Sequence, residues 1–191
     1  MNLIFATHNQ HKTDEVRAMV GKRFTILNLK DIGSFEEIPE TADTLQGNAL
    51  LKARYVYDKF GMDCFADDTG LEVEALDGRP GVFSARYAGE SCSFQDNIRK
   101  LLMEMEGVEN RKASFITVVA LILKGEEFLF QGKIEGEITT GQHGSQGFGY
   151  DSVFRPTGFD RTFAELGDDE KNKISHRAVA INQLLQFLHK S

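Results

Sequence analysis

Cys64-Phe65-Ala66-Asp67-Asp68-Thr69-Gly70 puts two adjacent carboxylates, a hydroxyl and a glycine at the end of an apolar run. The pattern predicts a strand leading into the acids and a second extended run, Leu71 to Leu76, carrying the chain away. Neighbouring residues at a strand end point to opposite faces, so one acid can aim into a cleft while the other braces it. Two acids this close are costly unless a cation, a proton or several donors neutralise them. Taken alone, the pair also fits a solvated acidic turn. Three other polar clusters turn the reading toward one anionic, metal-bound ligand.

The first is Thr7-His8-Asn9-Gln10-His11-Lys12, between a short apolar strand, Leu3 to Ala6, and a helix carrying Val16, Met19 and Val20 on one side. Strand, polar loop and helix form an arrangement that receives phosphate on backbone N–H groups. Lys12 adds a point charge. The simpler reading is that Thr7 or Asn9 caps the helix. The second cluster, Gly141 to Gly149, holds four glycines and ends in Phe148-Gly149-Tyr150-Asp151. Glycine lets backbone approach a ligand closely, and a flanked aromatic can stack on a planar base. A flexible hairpin loop with a buried Phe fits equally well. The third is Lys171 with Ser175-His176-Arg177, where cations near a helix start oppose the helix dipole. A resident anion would account for them, as would a surface accident.

The elements that must position these groups follow from periodicity. Phe24 to Leu27 reads as a second strand. Leu45, Ala49, Ala53, Val56 and Phe60 recur at helical spacing, with Asn48 and Lys52 on another face and Gly61 as the stop. Phe35 to Thr41 is acidic and too irregular for a helix. Ser93 opens a helix with Asp96 completing a capping box. Ala113 to Leu123, Lys124-Gly125 and Glu127 to Phe130 read as a hairpin. A closing helix carries Ala178, Ile181, Leu184, Leu185 and Leu188.

At 191 residues the chain reads as one domain, residues 1–191, with two lobes around a cleft. A net charge of −7 argues against general nucleic-acid or acidic-membrane binding. The longest apolar run, Val118 to Leu123, is too short to span a bilayer. No basic leader with an apolar core precedes the polar residues at the start. Cys64 and Cys92 have neither metal-type spacing nor a disulfide framework around them. A cytoplasmic setting is expected.

Thr-x-Asn-x-x-Lys, Ala-Asp-Asp-Thr-Gly, Phe-Gly-Tyr-Asp and Lys-x-x-x-Ser-His-Arg occur here in one order. Glu40-Thr41, Asn48-Ala49-x-x-Lys52-Ala53-Arg54 and Pro80 to Gly89 accompany them. Together they resemble the inosine/xanthosine triphosphate pyrophosphatase family over essentially the whole chain. The resemblance implies an α/β fold with a long mixed β-sheet flanked by helices, two lobes with a central cleft, and a homodimer. It implies that Thr7, His8, Asn9, Gln10, His11 and Lys12 hold a triphosphate, helped by Lys52. Glu40 and Asp68 would bind Mg²⁺, and Thr69 would contact substrate. Phe148 would stack on the purine, with Gly149 beside it in contact with substrate, and Tyr150, Asp151, Lys171, His176 and Arg177 would complete the nucleoside pocket. Three positions depart from the common pattern: His8 stands where glycine is usual, Thr69 replaces serine, and Ser152 stands where proline is common.

The implied reaction splits a purine nucleoside triphosphate between its α- and β-phosphorus, giving monophosphate and pyrophosphate. Asp68 or Asp67 would deprotonate the attacking water. The residues alone leave that choice open, and the resemblance assigns Asp68. Arg177, with or without His176, would favour the six-position oxygen of hypoxanthine or xanthine over adenine's amino group. The competing readings are a purine-nucleotide-binding regulator without turnover and a pyrophosphatase for other modified nucleotides.

Overall fold

A computed structural model describes residues 2–21 and 24–190. The fold is α/β and mixed. Its strands run in the order β2 (Thr25–Asn28), β1 (Asn2–Phe5), β3 (Cys64–Val73), β5 (Lys112–Leu123), β6 (Glu126–Ile138), β7 (Phe154–Pro156), with β4 (Pro80–Gly81) on β3. Among the described residues the chain forms two compact units. The first comprises the chain up to Asp68, Thr117–Gly132 and the segment from His176 onward; the second comprises Thr69–Ile116 and Lys133–Ser175.

In the first unit, β1 (Asn2–Phe5) lies parallel to β2 (Thr25–Asn28) and to the start of β3 (Cys64–Val73), with Ile4 opposite Cys64 and Phe5 opposite Phe65. Parallel strands are commonly covered on both faces, and strand alternation divides their side chains between two cores. Leu3, Phe5, Phe65, Val119 and Leu121 pack with Val16 of α1 (Gln10–Val20) and Ala180, Ile181 and Leu184 of α6 (His176–Lys190). Ile4, Ala6, Cys64, Ala66, Val118 and Ala120 pack with Ala49, Ala53 and Val56 of α2 (Leu45–Phe60). Phe5 stacks on Phe65 with ring centroids 4.5 Å apart. Within this unit, the odd residues of β3 therefore face α1 and α6, while its even residues face α2.

Asn9 and Thr44 cap α1 and α2, and Gly61 ends α2 in the left-handed conformation that glycine adopts freely. One expectation changes at β3. The acids do not sit where one extended run ends and another begins; they lie inside one ten-residue strand. Burial on both sides rules out the solvated turn, with Asp67 only 2% and Asp68 7% exposed.

The second unit has its own core. Leu71 and Val73 of β3 join Ile98 and Leu101 of α3 (Phe94–Glu104) with Phe115, Phe154 and Phe163. Phe115 meets Phe154 edge-on at 4.7 Å. Ser93 and Asp96 form the expected capping box on α3. The chain adds β4 (Pro80–Gly81), β7 (Phe154–Pro156), α4 (Phe163–Leu166) and α5 (Asp168–Ile174). β5 (Lys112–Leu123) turns through Lys124 and Gly125, at φ 52° and 86°, into β6 (Glu126–Ile138). Two positive φ values suit a tight hairpin. β6 runs well past the expected Phe130, because charged residues and glycines mask its alternation.

Gly132 of β6 passes so close to α6 that a Cβ there would press on the His176 carbonyl oxygen and the Ala180 nitrogen. Backbone atoms cannot swing aside as a flexible side chain can. Gly132→Ala is therefore expected to destabilise the fold by about 1–3 kcal/mol. An unchanged urea midpoint would refute that steric reading.

Candidate active site

The alternation of β3 sends the two aspartates to different neighbours. Asp67, like Phe65, faces α1 and α6. Lys12 Nζ donates to its Oδ1 at 2.8 Å and Arg177 Nε to its Oδ2 at 3.1 Å. Arg177, 2% exposed, also donates from Nη1 to Glu15. Burial would raise the Asp67 proton affinity, but Lys12, Arg177 and Lys52 outweigh it and hold the carboxyl well below its usual range. For Arg177 the balance is similar: burial lowers it, and Glu15 and Asp67 carry it above its ordinary value. Lys12 goes the other way, pushed down by burial and by Lys52 and Arg177 despite Asp67.

Asp68 faces α2. Asn48 Nδ2 donates to its Oδ2 at 3.1 Å, and Lys52 Nζ lies 3.8 Å from its Oδ1. Burial pushes this carboxyl up; nearby Lys52 and Lys12 only partly oppose it, and Glu40 adds to the rise. Lys52 also donates to Glu40, which sits on the irregular acidic segment before α2. Burial alone would lower Lys52, but Asp68, Glu40 and Asp67 raise it. The two adjacent acids thus differ in kind. Asp67 is locked as an anion between cations, whereas Asp68 has the greater affinity for a proton.

The segment from Thr7 to Lys12 is organised internally. Thr7 Oγ1 accepts from Asn9 N at 3.1 Å, and Asn9 Oδ1 accepts from Lys12 N at 3.2 Å. The capping role is real, and the same turn brings Lys12 to Asp67. His8 Nε2–H donates to the Glu36 carbonyl oxygen at 2.9 Å. The backbone at His8 is not left-handed, so nothing there requires glycine. Gln10, an exposed residue, donates to Asp14 and accepts from Asn28. His11 is also exposed.

In the second unit, Thr69 is half-buried in β3 and Phe148 is half-buried in the glycine-rich loop. The Phe148 N–H donates to Asp151 Oδ2 at 2.9 Å, and Lys171 Nζ donates to the same oxygen at 2.5 Å. That buried ammonium lies 4.7 Å from the Phe148 ring centroid, within cation–π range. A Cβ on Gly147 would collide with the Asp151 carboxylate, so the loop needs glycine at this point. Gly149 follows at φ 61°. Tyr150 is buried, its hydroxyl donating to the Ser84 carbonyl at 2.9 Å, and burial raises its pKa. These bonds hold Tyr150 and Asp151, and with them the Phe148 loop, in place.

His176 and Arg177 open α6 and are both buried in the first unit. Hydrogen bonds tie Arg177 to Asp67 and Glu15, which gives the cation at this helix start its anionic partners. Sequence reasoning missed Glu15 altogether. Asn48 was placed beside Lys52 on α2, but its bond to Asp68 was not foreseen.

Glu40 and Asp68 both approach the Lys52 ammonium, so their oxygens already converge on a cation. Two hard carboxylates suit Mg²⁺, which keeps several waters and substrate oxygens in its shell. Among the described residues no group of three or more His, Cys, Asp or Glu could hold a metal, which does not fit an all-protein cage. Nor is any described helix long and apolar enough to cross a membrane.

The Ham1 family model matches residues 3–187. A Flavobacterium johnsoniae protein named dITP/XTP pyrophosphatase is 54% identical, covering 98% of each chain. A Porphyromonas gingivalis protein of the same name is 57% identical over 97% of this chain and 96% of that one. Among solved structures, a HAM1 protein from Coxiella burnetii superposes with a TM-score of 0.91 at 35% identity over the full length of both chains. A family match over nearly the whole chain, relatives above half identity and a shared fold lead to one assignment: this chain belongs to the Ham1 family.

Proposed function

We propose that this protein is a nucleoside triphosphate pyrophosphatase acting on deaminated purine nucleotides: ITP, dITP and XTP. The observation that carries this is the division of labour between adjacent aspartates, one locked between Lys12 and Arg177 and the other poised to take a proton. The names of the relatives support the same reaction.

The triphosphate is assigned to the Thr7–Lys12 turn, whose helix N-terminus favours negative charge. Lys12 and Lys52 stabilise the charge that develops on the departing pyrophosphate. Asp68 orients the attacking water and takes its proton on Oδ1, the oxygen that Asn48 does not occupy. Asp67 fixes the Lys12 ammonium in place. Glu40 and Asp68 are the residues that would hold Mg²⁺, whose chemistry there is neutralisation of phosphate charge.

In the second unit, Phe148 is assigned to the purine ring, with Thr69 as a further substrate contact. The Lys171 ammonium can only donate, which suits a six-position carbonyl and opposes adenine's amino group. A site built for an acceptor rejects a donor strongly. Pyrophosphate release should be measured from ITP, dITP, XTP, GTP, ATP and dUTP with Mg²⁺, then after chelation. The first three are expected to react about 100-fold faster than ATP, with all turnover lost on chelation. Equal rates on every triphosphate would overturn the base assignment. No release from any would overturn the function.

A further inference from the structure

We propose that His8 is a positioning residue that fastens the acidic segment bearing Glu40 to the phosphate turn. The inference rests on the pyrophosphatase reading and names a device for this chain that the usual glycine could not supply.

Residues 35–41 have no regular secondary structure of their own. Side-chain bonds hold the segment instead. At its far end Glu40 bonds to Lys52, and the Ala42 N–H donates to Asn48 Oδ1 at 2.9 Å. At its near end Glu36 accepts from Tyr55 and, at 2.6 Å, from Lys59. All four of these partners belong to α2, so these bonds secure the segment to that helix. His8 supplies the tie in the other direction, from the phosphate turn to the Glu36 carbonyl oxygen at 2.9 Å. A carbonyl oxygen can only accept, so Nε2 carries the hydrogen.

This tie matters because the phosphate turn and Glu40 must serve one substrate. The turn receives phosphate oxygens, and Glu40 is a carboxylate that would hold Mg²⁺ against those oxygens. Groups that orient metal ligands without touching the metal commonly change metal affinity by 10–100-fold when removed. His8 is half-buried and belongs to none of the buried cores, which argues against a packing role. Losing a side chain outside the buried cores should leave them intact.

The test compares wild type, His8→Ala and His8→Gln, which restores a donor. Hydrogen exchange of residues 35–41 is the direct readout and needs neither metal nor turnover. Calorimetric titration with Mg²⁺ in the presence of a non-hydrolysable triphosphate is the second. His8→Ala is expected to exchange faster across 35–41 and to weaken Mg²⁺ binding about tenfold, with an unchanged melting temperature. His8→Gln should recover part of both. Unchanged exchange and unchanged Mg²⁺ affinity in His8→Ala would overturn the proposal. So would a raised KM for ITP with Mg²⁺ affinity intact, because His8 would then contact only phosphate. Failure of the wild type to release pyrophosphate would instead sink the underlying reading, and the exchange result would still report on the tie.

Discussion

Asp68→Asn is expected to lower kcat for pyrophosphate release from ITP by about 10²–10⁴-fold, the range attributed to a general base. The amide keeps the shape of the side chain and can still meet Asn48, so nucleotide binding should survive. Stability should move the opposite way from activity. Burial raises the folded-state pKa of Asp68, so the fold favours its neutral form. Its charge opposes folding progressively as pH rises from the ordinary carboxylate value through that raised pKa. A neutral amide removes this opposition, and Asp68→Asn should be at least as stable as wild type at pH 7. Single-turnover kinetics beside a urea melt would check both halves. Retained turnover would remove Asp68 from the base role and return Asp67 to consideration.

Arg177→Met is expected to destabilise the protein by about 3–5 kcal/mol, the effect of breaking a buried ion pair by removing one partner. The arginine is almost wholly enclosed and serves two carboxylates, Glu15 and Asp67. Methionine of similar length fills the space but leaves both acids short of charge. Adding Glu15→Gln to the variant should recover part of the loss, since one uncompensated anion disappears. A single-variant loss below about 1 kcal/mol would show the network to be weak.

The acid limb of stability should change as well. Asp67 has a depressed folded-state pKa, so its contribution is present above the unfolded carboxylate value, about 3.9. It is lost as pH falls toward the folded value. Arg177→Met leaves Lys12 and Lys52 as the cations lowering that pKa, so the contribution shrinks and acid unfolding should begin at a higher pH.

Local signals made much of this fold legible. Asn9 as a cap, Gly61 as a stop, the Ser93–Asp96 box and the Lys124-Gly125 turn are each written within a few residues, where capping and backbone freedom act. The strand through Asp67 and Asp68 was harder, because charged residues at its middle imitate a turn. Only the neighbours that neutralise them make a buried strand possible, and those lie on α1, α2 and α6. The short α5 was not anticipated, although Asp168 to Glu170 ahead of Lys171 and Lys173 matches the helix dipole. Arg177 shows the limit most clearly. Its partner Glu15 lies 162 positions away and looks in sequence like any acid on an amphipathic helix.

The alternation along β3 also fixes what inheritance can do to this segment. Substitutions among its apolar residues keep each acid on its own side of the sheet. Deleting one codon just upstream of Asp67 would shift every later residue across. Asp68 would then land between Lys12 and Arg177, and Thr69 would take its place beside Asn48 and Lys52. Having two aspartates in a row would rescue the brace and forfeit the base. This stretch can therefore drift in composition over generations, but not in length.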